Sequence, residues 1–463
     1  MQNSKLLEVL RTFSGHEWKS FKAFVDSPYF NRNPDVAALC RWLADQCGSG
    51  GEVHRESGFH ALFPDQPFDD ARWNHLMSFL LKLAEQFLGL EQYVKESFAP
   101  RFFILQALAE RGLEKHYRYI FDQTRKKQAV APYQDAAYFL QRYQLENYEA
   151  NLLSRSAIRR FNESAQISTD NLDQFYLAEK LRYTCFMLTS QVVLATPYNF
   201  QLVEEVSRFV AGITDAAPVV QAYYRIYKLL SEDIATDHFD ALRRLLAEQE
   251  QMFDRQVLAE LYQYAINYCN LQIMKNREPY VAEALDLYQT GIQSGILLEN
   301  GNLSPWHFKN IIKLGLRLKR YAWTEQFILD HNRLLEPEFR EDAVYYNLAE
   351  LYYYTGRYDE ALVQLNKVEF TDVHYNLGAK VILAKIYYET DETDALDSLL
   401  HAFRTYLHRN RVISDDLRKP YLHFTALLRH ILRSTPDAVP ALREKVRHTV
   451  LAEKAWLSNI LTR

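Results

Sequence analysis

The stretch Tyr345–Leu365, YYNLAELYYYTGRYDEALVQL, constrains the fold more than any other part of the chain. Its apolar and aromatic residues recur at helical spacing on both sides of Gly356, which predicts two helices joined by a tight turn. Ala349 and Ala361 place small side chains where two antiparallel helices approach most closely. Tyr352 and Tyr358 fill the wedge beside them, and Gly356 supplies the left-handed residue that ends the first helix. One hairpin of this kind leaves an apolar face open, so it must stack on neighbours of the same kind.

The rest of the chain is written in the same style. Gly and Pro number 14 each in 463 residues, about half their average usage. A sandwich or barrel of many short strands needs more turn residues than that. Apolar residues at 48% and aromatics at 14% exclude a disordered chain. Helical periodicity is clear over 172–194, 219–230 and 239–250, and in Val257, Leu261, Tyr264, Tyr268 and Leu271. Breaks fall at Pro132, Pro197, Pro218, Pro279 and Pro305 and around Gly301-Asn302. No segment alternates with period two for long enough to predict a strand. The expected fold class is all-α, antiparallel helical hairpins stacked in series.

A small N-terminal helical domain is expected over residues 1–100. Ser14 and Glu17 have capping-box spacing ahead of a helix that stops at Ser27-Pro28. A second helix runs from Asp35 to near Gly48. A third starts at Asp69 or Asp70 and carries a seam of Leu76, Leu80, Leu83, Phe87, Leu90 and Val94. The remainder, 101–463, is expected to be the repeat domain, ending in an amphipathic capping helix over 440–463.

The Tyr345–Leu365 stretch resembles a tetratricopeptide repeat, whose pattern is met by Tyr345, Leu348, Ala349, Tyr352, Gly356, Tyr358 and Ala361. Weaker copies flank it. Arg320-Tyr321 aligns with Arg357-Tyr358 at 37 residues, and Ala384–Tyr387 aligns with Ala349–Tyr352 at 35, with no Gly at either neighbouring turn. The clearest repeats span 306–403. The resemblance implies a superhelix (α-solenoid) whose first helices line a groove for an extended peptide or a helix. By position, the implied binding residues are Lys309, Lys313, Tyr346, Glu350, Tyr353, Lys385 and Tyr388. Some relatives grip a chaperone-tail carboxylate there. Lys309 and Asn347 match two places of that clamp, but Gly378 and Ile382 stand where it needs cations.

The net charge of −5 does not predict a polyanion partner, but its distribution is uneven. Residues 321–400 hold 6 basic and 16 acidic side chains, whereas 401–463 hold 12 and 5. The basic block (Arg404, Arg409, Arg411, Arg418, Lys419, Arg429, Arg433, Arg443, Lys445 and Arg447) and the N-terminal domain keep a nucleic-acid-binding regulator open as the alternative. Residues 183–203 carry no charge, yet Thr184, Thr189, Ser190, Gln191, Thr196 and Asn199 make them too polar for a membrane span, and a buried helix is expected. The opening MQNSKLLEVLRTF has no apolar signal core. Four cysteines in so long a chain suggest a reducing compartment, so the expected location is cytoplasmic. No phosphate-binding loop, H-E-x-x-H, G-x-S-x-G or C-x-x-C occurs. The pairs His401/His408 and His423/His430 lie about 10.5 Å apart along a helix, too far to share a metal. The expected function is a non-catalytic scaffold or adaptor binding another protein, without cofactor, metal or catalytic residues.

Overall fold

In a computed structural model, residues 4–48, 53–154, 161–194, 197–368, 373–411 and 413–462 are described. The chain is all-α, 78% helical, with 23 α-helices among the described residues. The exception is a hairpin pairing Leu298–Glu299 with Asn302–Leu303, turned by Asn300 and Gly301, both at positive φ. The Asn-Gly dipeptide is a strong short-range hairpin signal, and here it makes two-residue strands from what reads as a simple break. No described helix is long and apolar enough to cross a membrane.

Two compact units divide the chain, Met1–Tyr176 and Leu177–Arg463. Among the described residues, the first contains two hydrophobic clusters. Helices Lys5–Leu10, Gly15–Asp26, Pro34–Gly48, Arg55–Leu62 and Asp70–Lys95 enclose one, centred on Trp73, Phe21, Phe59 and Phe87. Ser14 caps the second helix, accepting from Glu17 N at 3.2 Å while its own N–H donates to Glu17 at 2.8 Å. The long seam is buried from Leu76 to Phe87, whose ring meets Phe13, Phe21 and Phe24 at 5.3–5.7 Å. It ends there, leaving Leu90 and Val94 exposed, because the helices that build this core reach no farther. Helices Ala99–Glu110, Glu114–Ala129 and Ala136–Ser154 enclose the second cluster, around Phe102, Leu105, Tyr117, Phe121 and Leu145. The first cluster ends at Phe87 and the second takes in Phe98, while the compact unit continues to Tyr176.

In the second unit, hairpins follow in series: Pro218–Ser231 with Thr236–Gln249, Arg255–Met274 with Pro279–Gln293, and Pro305–Arg317 with Tyr321–His331. Pro337–Tyr354 then pairs with Tyr358–Leu365, and Val373–Glu389 with Thr393–Arg409. From the second of these on, each second helix packs on the next first helix. The turns repeat in atomic detail. At Gly356 (φ 73) the N–H of Arg357 donates to Tyr352 O, closing the helix. Lys319 (φ 56) and Asp391 (φ 58) take the same left-handed conformation, with Arg320 N bonded to Gly315 O and Glu392 N to Tyr387 O. Missing glycines therefore mark strained copies of one turn. Lys319→Gly is expected to raise stability by about 0.5–1 kcal/mol, with Asp391→Gly giving less because Asp tolerates this conformation. Urea titration checks both, and a loss of stability in Lys319→Gly contradicts the strain.

The C-terminal segment corrects the expected single helix over 440–463. It forms two helices, Val439–His448 and Lys454–Ile460. Between them Ala452 N–H donates to Pro420 O at 3.2 Å and the His423 ring bonds Val450 O at 2.9 Å. Glu453, at φ 55, turns the chain into the last helix.

Candidate functional site

Among the expected groove residues, Lys309 meets Tyr346 and Lys385 meets Tyr353, and much of that face is occupied. Tyr346 is only 3% exposed, and its ring packs where Gly378 has no side chain. The Lys309 ammonium sits over Tyr346 and Tyr375 at 4.8 and 5.1 Å. Lys385 is buried and ion-paired with Glu453. Its ammonium also faces the rings of Tyr353 (5.4 Å) and Trp456 (5.8 Å). Tyr388 meets Trp456 edge-on at 5.3 Å, and the Trp456 indole N–H donates to Glu389 at 3.4 Å. Glu350 is half-buried, with Oε2 lacking a hydrogen-bond partner, and Lys313 alone is well exposed. Burial, with Glu350 and Glu453 nearby, pushes the Tyr346 hydroxyl well above its ordinary value. Tyr346 and Lys385, expected to line an open groove, are thus interior residues. The first is covered by the next hairpin and the second by the turn at Glu453.

An open cleft lies elsewhere in the second unit. The helix Glu163–Leu194 contributes Arg182, Phe186, Thr189, Ser190 and Leu194, which share one face at spacings of three and four. The helix Arg255–Met274 contributes Glu260, Gln263, Tyr264 and Asn267 at the same spacings. Together they line about 610 Å³. Phe186 and Leu194 are 56% and 63% exposed, so the charge-free stretch read as a buried helix presents an apolar rim to solvent. Behind the cleft, Cys185 Sγ approaches Tyr223 O at 3.6 Å, holding this helix against Pro218–Ser231. The arrangement offers hydroxyls and amides between apolar edges, with the charged Arg182 and Glu260 among them. Sequence reading missed it because its two walls lie some seventy residues apart. The available signal was the polar Thr189 and Ser190 among the uncharged residues.

Among the described residues, no group of three His, Cys, Asp or Glu forms a metal site. Burial pushes the Cys40 and Cys269 thiols up to about 12 and raises Cys47 and Cys185, the opposite of an activated nucleophile. Part of the basic block ties helices together. Arg418 donates to Asn410 O (3.1 Å) and Ile413 O (2.6 Å), Arg429 and Arg433 converge on Asp397 (3.0 and 3.3 Å), and Arg443 holds Leu461 O at 2.6 Å. A scan of family models finds no match to the chain, and comparisons with curated proteins and with solved structures find none.

Proposed function

We propose that this chain is a non-catalytic cytoplasmic scaffold of tetratricopeptide-like hairpins that holds a peptide segment of another protein. The observation that carries the reading is the open cleft between Glu163–Leu194 and Arg255–Met274, with Phe186 and Leu194 exposed at its rim. Exposed aromatic and aliphatic side chains around a concavity suit a binding surface, and adjacent amides fix a backbone. The peptide site moves away from the Tyr346–Tyr388 face, which the chain already fills with Glu453 and Trp456.

Selection from a phage-displayed library of short random peptides on the immobilised full chain tests this reading. Enriched peptides are expected to lose about tenfold in affinity on Phe186→Ala, as truncation of an anchor residue does, and to be indifferent to Lys313→Ala. No enrichment, or enrichment that ignores Phe186, overturns the assignment.

A further inference from the structure

The cleft contains a charge that the protein does not fully answer. Glu260 lines one wall as a half-buried carboxylate. The cation opposite is Arg182, whose Nε and Nη2 already donate to Glu179 at 3.0 and 2.8 Å and whose guanidinium lies 4.6 Å from the Tyr183 ring centre. Three charged groups therefore face one another, two carboxylates and one guanidinium, and the guanidinium is committed to Glu179. Beside Glu260 sits the buried Tyr223 hydroxyl, which interacts with that carboxylate. Even with Tyr223 beside it, the Glu260 side chain lines the cleft and is reachable from it.

We infer that the cleft recognises a cationic side chain, Lys or Arg, carried by the bound peptide, with its charge on Glu260 and its aliphatic stem along Phe186 and Leu194. This rests on the reading of the cleft as a peptide site. Long cationic side chains pair an apolar stem with a charged tip, which matches an apolar rim leading to a recessed carboxylate. The protonation behaviour of Glu260 agrees. Burial raises its carboxyl above the ordinary range and Glu179 adds to the rise, against the pull of Arg182 and Tyr223. A group held in that state gains from an incoming cation. Tyr264 and Cys185, the other titratable groups near it, are also raised by burial and stay neutral.

The test uses the full chain and peptides enriched by the selection above, each resynthesised with its Lys or Arg replaced by norleucine, which keeps the stem and removes the charge. On the wild-type protein the norleucine peptides are expected to bind about tenfold more weakly, whereas on Glu260→Gln the two forms differ by less than about twofold. A Lys-to-Arg exchange shows which cation fits. Enriched peptides that depend on Phe186 but carry no cation, or that tolerate norleucine, overturn the inference and leave the peptide site standing. Enrichment that ignores Phe186 removes both. If Glu260→Gln is unfolded by circular dichroism, the norleucine comparison on wild-type protein decides alone.

Discussion

Glu453→Ala is expected to destabilise the chain by about 2–3 kcal/mol, whereas Lys385→Met stays within about 1 kcal/mol of wild type. The asymmetry follows from where each charge lies. The Lys385 side chain is 6% exposed and that of Glu453 39%. Removing the carboxylate leaves an ammonium surrounded by the Tyr353 and Trp456 rings, which stabilise a cation only partly. Removing the ammonium leaves a carboxylate that water reaches, and methionine fills the vacated volume without a charge to desolvate. The full cost of a broken buried pair is reduced here because the Glu453 end is wet. Alanine and glutamate tolerate the positive φ at 453 equally poorly, so backbone strain cancels. Urea unfolding with an unchanged slope reads the difference directly. Equal losses in the two variants show that the pair acts through packing alone.

The same contact shows what sequence reasoning reaches in this chain and where it stops. Local features were legible: Ser14 and Glu17 form their capping box, Asp69 caps the 70–95 helix, and Gly356 ends its helix as the spacing required. The turns at Lys319 and Asp391 were harder, because the residue types disguise a backbone identical to that at Gly356. Burial between successive hairpins was not legible. Helical position put Tyr346 on the face of the first helix, but only Gly378 of the following helix makes that face interior. Lys385 likewise read as a groove cation because its partner lies 68 residues downstream. The cleft depends on two walls brought together by the intervening hairpin, and neither wall carries a motif by itself.

Gly378→Val is expected to cost about 3 kcal/mol, and Gly378→Ala about 1–2 kcal/mol, although either replacement favours an isolated helix. Helix propensity alone predicts a gain of up to about 1 kcal/mol at this position in Val373–Glu389. Packing decides otherwise. A Cβ there meets the Tyr346 hydroxyl at 2.5 Å and its ring carbons at 2.8 and 2.9 Å. The ring has little room to withdraw, since Tyr375 packs against it at 5.1 Å and Lys309 covers it at 4.8 Å. The helices Pro337–Tyr354 and Val373–Glu389 must then move apart, or Tyr346 must leave its site. Tyr346→Leu removes the hydroxyl and the ring edge that collide. Combined with Gly378→Ala it is expected to recover at least about 1 kcal/mol relative to the sum of the single losses, the coupling found between residues in direct contact. Strict additivity of the two changes shows that Gly378 and Tyr346 do not share this space. A stabilised Gly378→Ala shows that helix propensity, not the close approach, governs the position.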